Sequence, residues 1–440
     1  MADLDGANIT KLNIANEADM DKKIKIFTIG DMPLSPSGVG TQSKYMIEAL
    51  LKTGKYQVIS FGGAIKHPAY EPIKTEEYKD DWVIHPVDGY GTADMVRSVL
   101  RTEKPDVLWF MTDPRFWGWL WEMENEIRPL VPMVYYHVWD NYPYPDYNKI
   151  FYDSNDVVLA ISKVTEDIVK TVSPDVDCRY VPHAVDTDIF NRHDDEAVTE
   201  FKKAVLGETY DEDKVIFFWN NRNARRKQSG SLIFWFAEFL KKVGKDKACL
   251  VMHTEVKDQH GQDLEAIVSN LGLADGQVLF SQVKVDPAKL ALMYNVADCT
   301  INISDAEGFG LATLESLACE TPIIVNLTGG LQEQVTDGEN WFGIGLEPTS
   351  KAIIGSQQIP YIYEDRLSEE VVVQALLDMY NKTREDRAAL GKAGRGHVLK
   401  NYNFEDFCKN WDTLFTEIYE KFGSWETRKA PQRWSLEEVA

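Results

Sequence analysis

At 440 residues the chain is too long for one hydrophobic core of ordinary size, so two domains are the default. Its 44% hydrophobic and 11% aromatic content excludes a disordered chain. Lys+Arg 47 against Asp+Glu 70 leaves a formal net charge of −23, a field that opposes non-specific binding to nucleic acids and anionic membranes and makes any compact basic cluster informative.

In chain order, residues 1–22 read as a polar tail, with no basic stretch leading into the apolar run of a secretory leader. Short β-branched and aromatic runs then recur: IKIFTIG (24–30), YQVISFGG (56–63), DVLWFMT (106–112), PMVYYHVW (132–139), DVVLAIS (156–162) and CRYVPH (178–183). Helical patterns such as TQSKYMIEALLKTG (41–54) and TADMVRSVLRTE (92–103) lie between several of them. Continuously apolar strands alternating with helices predict a parallel sheet covered on both faces, here a first domain over 23–190.

Within it, PSGVGTQSK (36–44) follows a strand and opens a helix. Gly38 and Gly40 would let an anion approach the free N–H groups there, or else simply make a tight turn; the full GxGxxG and Walker spacings are absent. The stretch 109–147 is unusually aromatic. Its tryptophans at 117–121 read as core, whereas Trp139, Tyr142 and Tyr144 lie in a proline-rich loop and are the candidates for stacking on an acceptor.

An acidic connection, 191–213, precedes a second set of strands: KVIFFWNN (214–221), ACLVMHTE (248–255), QVLFSQ (277–282), CTINIS (299–304) and PIIVNL (322–327). This predicts a second doubly wound domain over 214–402, with ligands beyond the carboxyl ends of the strands. Just past the first of these strands, Arg222, Arg225, Arg226 and Lys227 form a basic cluster suited to a diphosphate. SLIFWFAEFL (231–240) is too short to span a membrane and reads as a buried helix. Five scattered cysteines without a CxxC pair fit reduced thiols, so a cytoplasmic location without integral membrane association is expected.

The stretch SDAEGFGLATLES (304–316) sets Glu307 and Glu315 on either side of a helix start. The amides of Gly308, Phe309 and Gly310 would face an anion there, and flanking carboxylates would accept hydrogen bonds from sugar hydroxyls, both staying ionised. The plain alternatives are a helix cap for Glu307 and a surface position for Glu315. Last come an amphipathic helix over 403–423 and a polar tail over 424–440.

EGFGLATLE matches the E-x7-E pattern of the retaining family 4 glycosyltransferases, which have the GT-B fold. SLACETPIIVNLTGGLQEQVTDGENWFG (316–343) resembles that family's continuation, with Gln332 in place of its usual proline; Arg222 and Lys227 keep the spacing of its diphosphate-binding pair. VLAISKVTEDIVK (158–170), VPHAVDTDIF (181–190) and PSGVG are similar to its interdomain and glycine-loop segments, although His183-Ala184-Val185-Asp186 departs from "NGVD". Residues 349–367 exceed the family's short connection.

The resemblance implies two tandem Rossmann-like domains with an interdomain cleft, and a hexosyl- or pentosyltransferase using a nucleotide-diphosphate sugar. Glu315 would hold the ribose, Glu307 the transferred sugar, and Arg222 and Lys227 the diphosphate. The backbone from Gly308 to Leu311 and the loop of Gly38 and Gly40 would help, and His137 would stand near the sugar, unless it is a core histidine at a strand end. No Asp-x-Asp follows a strand (Asp211 and Asp213 lie in the acidic connection), so transfer without a metal is expected, with no cofactor beyond the donor co-substrate. The acceptor would be a glycan or small molecule, with a modified nucleobase in DNA disfavoured by the charge. A nucleotide-sugar 2-epimerase and a non-catalytic sugar-nucleotide binder are the competing readings.

Overall fold

A computed structural model describes residues 22–431, and every run read above as a strand is a strand in it. The first sheet comprises β1 (Ile24–Asp31), β2 (Tyr56–Gly63), β3 (Ile73–Lys74), β4 (Trp82–Pro86), β5 (Val107–Thr112), β6 (Met133–His137), β7 (Val157–Ala160) and β8 (Asp177–Tyr180). Its order is β3-β4-β2-β1-β5-β6-β7-β8, parallel except for the short edge strand β3. The second sheet comprises β9 (Val215–Asn220), β10 (Ala248–His253), β11 (Val278–Ser281), β12 (Cys299–Asn302), β13 (Ile323–Asn326) and β14 (Gly343–Leu346), all parallel, in the order β11-β10-β9-β12-β13-β14.

Both orders reverse direction once, between β1 and β5 and between β9 and β12. At such a switch point the neighbouring connections leave to opposite faces and open a crevice beyond the strand ends. The central strands are buried along their whole length, as in β5 and β12, which explains their unbroken hydrophobicity.

Local chemistry places the helices. Ser37 caps the helix Gly38–Lys52 by accepting from the Gly40 amide at 3.0 Å, and Met46, Ile47 and Leu50 bury one face of it. SLIFWFAEFL lies in the helix Ser229–Val243, which buries Leu232, Ile233, Phe236, Phe239 and Leu240. Trp117 and Trp121 are core residues of the first domain.

The helix Phe404–Phe422 is capped by Asn403 and returns to the first domain. There Trp411 stands edge-on to Trp109 and Tyr136, at 6.3 and 5.2 Å between ring centres. Each apolar side chain buried on this face contributes roughly 1.5–3 kcal/mol. The expected tails lie largely outside the described residues, but 424–431 corrects the reading of a loose tail. Ser424 donates to Asp106 at 2.6 Å, and Arg428 pairs with Asp156 at 2.7 Å, both side chains 1% exposed. A polar composition concealed this docking because its partners are buried carboxylates of the other domain.

The long connection at 349–367 is an antiparallel hairpin, β15 (Ser350–Ile354) with β16 (Ile362–Arg366). On one side it takes the loop after β6: Tyr363 donates its amide to the Tyr142 carbonyl at 2.5 Å, and Asn141 donates to the Tyr363 carbonyl at 2.6 Å. On the other, Asp365 donates its amide to the Asp305 carbonyl at 2.9 Å and accepts from Thr328 at 2.8 Å. The hairpin therefore ties the two domains together at one end of the cleft.

Candidate active site

The two switch points face each other across a cleft of about 910 Å³. Its second-domain wall comes from the loops after β9 and β12, with the segments after β10 and β11 beside them. In the first loop the Lys227 ammonium pairs with the Glu307 carboxylate, and Arg226 donates to the Ala306 carbonyl. Asn302 also donates to Glu307, at 3.1 Å. Burial alone would raise the Glu307 carboxyl, but Lys227 and Arg226 outweigh that and hold it well below the ordinary range, so it is ionised. Burial lowers Lys227 in turn, against the pull of Glu307.

Arg222 is on the same wall but 62% exposed, its guanidinium on Asp258 at 2.7 and 3.2 Å. The cluster divides: Arg222, Arg226 and Lys227 line the cleft, while Arg225 turns away to make a forked pair with Glu364 at 2.9 and 2.6 Å.

Beyond Glu307 the chain bends through Gly308, Phe309 and Gly310 into the helix Leu311–Ala318, and this backbone lines the cleft. Gly310 has φ 91°, and a side chain there would meet Leu331 at 2.6 Å, so the turn needs glycine. Glu315, one turn inside the helix, accepts from the Tyr294 hydroxyl at 2.6 Å, which itself accepts from Asn220 at 2.8 Å. Burial pushes the Glu315 carboxyl up to about 7. The expectation that both carboxylates stay ionised holds for Glu307, whereas Glu315 is divided between its two forms near neutral pH. No cation pairs with Glu315 among the described residues, so desolvation outweighs the Tyr294 hydrogen bond.

The first-domain wall departs further from the sequence reading. Gly38 lines the cleft, and a side chain there would meet Leu311 across it at 3.2 Å. Gly40 does not: its amide caps into Ser37, and a side chain would collide with the Met32 carbonyl at 2.7 Å, so packing of the turn explains it. His137 is fully buried between two tyrosines, Nδ1 at 3.0 Å from Tyr135 and Nε2 at 2.8 Å from Tyr152. Burial lowers it to about 3, so it is a neutral core histidine and has no contact with the cleft.

The acceptor candidates are also corrected. Trp139 packs under the hairpin against Ile168, Ile359 and Ile362, and the Tyr142 and Tyr144 hydroxyls both donate to Asp167 at 2.9 Å. What lines the cleft from this loop is Asp140. Burial raises its carboxyl, with Arg226 and Lys227 pulling the other way. Asp31 lies on the same wall, accepting from Ser37 at 2.9 Å and Tyr90 at 3.0 Å. Asp140, Asp31 and Tyr294 were missed as site residues, and Arg226 was named only as one of the basic cluster. Arg226 and Asp140 stand inside stretches already marked, whereas only the three-dimensional pairing with Glu315 reveals Tyr294.

Residues 202–395 match the family described as glycosyl transferases group 1. A D-inositol 3-phosphate glycosyltransferase of Acidothermus cellulolyticus is 43% identical over 77 residues, 18% of this chain and 17% of the relative. The N-acetyl-alpha-D-glucosaminyl L-malate synthase of Bacillus anthracis is 25% identical over 236 residues, 53% of this chain and 58% of the relative. The chain thus spans less than two thirds of the length of these relatives.

Among solved structures, the sucrose-phosphate synthase of Thermosynechococcus elongatus superposes with a TM-score of 0.72 at 16% identity, covering 91% of this chain and all (100%) of that one. Anabaena HepE in complex with UDP and glucose gives 0.63 at 12%, covering 90% and 100%. At these identities the likeness is one of fold, the two-domain GT-B architecture.

Proposed function

We propose that this chain, whose residues 202–395 form a glycosyl transferases group 1 domain in a GT-B fold, moves a sugar from a nucleotide-diphosphate donor to an acceptor hydroxyl, with retention and without a metal. The observation that carries the reading is that one wall of the cleft gathers Glu315, the Gly308–Leu311 helix start, Arg226 and the Lys227–Glu307 pair, with the helix start between the two glutamates along the chain. Two carboxylates set apart by a cationic helix start measure out ribose, diphosphate and sugar. HepE, with the same fold, is described with UDP-glucose bound.

In the reaction, the bond from the sugar's anomeric carbon to the diphosphate oxygen breaks, and a bond from that carbon to the acceptor oxygen forms on the same face. The acceptor proton passes to the departing diphosphate. Arg226, Lys227 and the helix start are fixed before reaction, so they stabilise the growing charge without reorganising, an effect worth about 2.7–4 kcal/mol per well-placed donor. Asp140 lies within electrostatic reach of Arg226, Lys227 and Glu307, at the sugar end, and would accept the acceptor hydroxyl's hydrogen bond in the place first given to His137.

Calorimetry with UDP-, ADP- and GDP-sugars on wild type and Glu315→Ala tests the donor. One nucleotide sugar should bind wild type and lose at least tenfold in the variant, and its turnover should survive EDTA. Binding by none of them would end the reading; an inverted product anomer would end retention, and a C2-inverted sugar nucleotide would identify an epimerase instead.

A further inference from the structure

The hairpin that exceeds the family's length encloses a second cavity, about 510 Å³, beside the sugar end of the cleft. Three arginines from three separate segments line it: Arg115 just beyond β5, Arg225 beyond β9 and Arg366 at the end of β16. The rest of its lining is Ile354, Gly355, Ser356, Ile359 and Ile362, without a single carboxylate. The acids that hold these arginines lie behind them. Glu364 and Asp305 have side chains only 3% and 2% exposed, while Arg225 and Arg366 are 59% and 39% exposed. A ligand entering the cavity therefore meets guanidinium groups first, in a chain of net charge −23.

Donor capacity remains in the cavity wall. Arg366 turns its Nε inward, 3.8 Å from Asp305, and its side chain is 39% exposed at the cavity. Ser356 Oγ accepts from the Gln358 and Ile359 amides, both at 3.2 Å, which leaves its own hydrogen to give. Arg115 is aimed by Asp113, at 2.8 and 2.9 Å, and it follows Thr112, whose φ of 142° is rare for a side-chain-bearing residue. Such strain persists where surrounding structure enforces it, and functional sites are where it collects. Arg225 of the cavity precedes Arg226 of the cleft, and Asn141, next to Asp140, donates to the hairpin at Tyr363 at 2.6 Å, so the cavity adjoins the wall that carries Asp140.

We propose that this cavity seats a phosphate monoester carried by the acceptor, held by Arg115, Arg225 and Arg366 with Ser356. The assignment rests on the transferase reading for the word acceptor, and on the cavity itself for the anion. Planar guanidinium forks suit tetrahedral oxyanions, and an isoleucine floor suits a compact ligand. The overall negative charge favours a small monoester over a nucleic acid strand.

Titration of inorganic phosphate into the full chain by calorimetry, compared with Arg115→Ala and Ser356→Asp, tests the site. Both positions are solvent-exposed, so both variants should fold, and unchanged nucleotide-sugar binding serves as the control. Phosphate should bind at least tenfold more weakly to each variant. In paired acceptors differing only by a phosphate monoester, the wild type should show at least a tenfold lower KM for the phosphorylated one.

Phosphate binding unaltered in both variants would assign the anion to Arg226 and Lys227 and overturn the proposal. Equal use of paired acceptors, or tighter binding of an oligonucleotide than of the monoester, would overturn it as well. If no nucleotide sugar binds but phosphate binding still falls in both variants, the anion site stands and the transferase reading is the one lost.

Discussion

The two walls of the cleft are built by opposite strategies. The second-domain wall centres on two short loops, 220–227 and 302–311, each delivered by a strand beside the switch point, and the segments after β10 and β11 complete it. The opposing wall near the sugar is assembled at long range, by a hairpin from 350–366 settling on a loop from 139–147. On the first wall the spacing of residues along the chain already approximates their spacing in space. On the second, which side chain faces the cleft depends on what covers its neighbours, so Trp139 is buried and Asp140 is presented.

That contrast can be broken experimentally. Trp139→Ala should lower stability by about 3–5 kcal/mol, the usual cost of emptying a buried aromatic site. Denaturant unfolding reads this, and a variant of full stability but impaired acceptor KM would return Trp139 to the acceptor site. Lys227→Ala should lower kcat/KM by 10²–10³-fold, about 2.7–4 kcal/mol, measured by nucleotide diphosphate release; a change below threefold would remove it from the chemistry. His137→Phe removes one hydrogen bond from each of two buried tyrosine hydroxyls, which keep Thr112 and Asn148 as partners, and should cost about 0.5–1.5 kcal/mol of stability per bond while keeping transfer within tenfold. Loss of turnover in a stably folded variant would contradict its place in the core.

The remaining effect concerns Glu315, whose carboxyl lies at about 7 when folded against an ordinary value of 4.5. Between those values the folded chain binds the extra proton, so stability rises as pH falls from about 7 and is lost as pH rises through it. The melting temperature should shift by on the order of 4 °C over that interval, and Glu315→Gln should flatten the slope. Donor affinity should move the opposite way, strengthening above about 7 as the carboxylate forms to accept the ribose hydroxyls.

The sheets were legible because a strand buried on both faces must be apolar throughout, whatever surrounds it. The apolar runs around Val107–Thr112 and Cys299–Asn302 announce themselves in that way. Strands β3, β4 and β14 and the hairpin were not, since short, alternating or polar strands such as Trp82–Pro86, Ser350–Ile354 and Ile362–Arg366 resemble loops until their partners are known. Glu307, Glu315 and Lys227 were legible in a motif of local spacing. Asp140 was not, because the adjacent histidine and tryptophan carry stronger chemical signals and both turned out to be structural. The protonation of Glu315 lay outside any motif, being set by burial and by Tyr294.

The return of the helix Phe404–Phe422 and of Ser424 and Arg428 to the first domain has a temporal consequence. The Rossmann unit made first during synthesis is completed last: until residues near 411 emerge, Trp109 and Tyr136 lack the ring that covers them, and Asp156 lacks Arg428. The second domain, by contrast, has its whole sheet by residue 346. The nascent chain would therefore hold an unfinished first domain open while the second is made, and the first would close only once residues 404–428 have emerged.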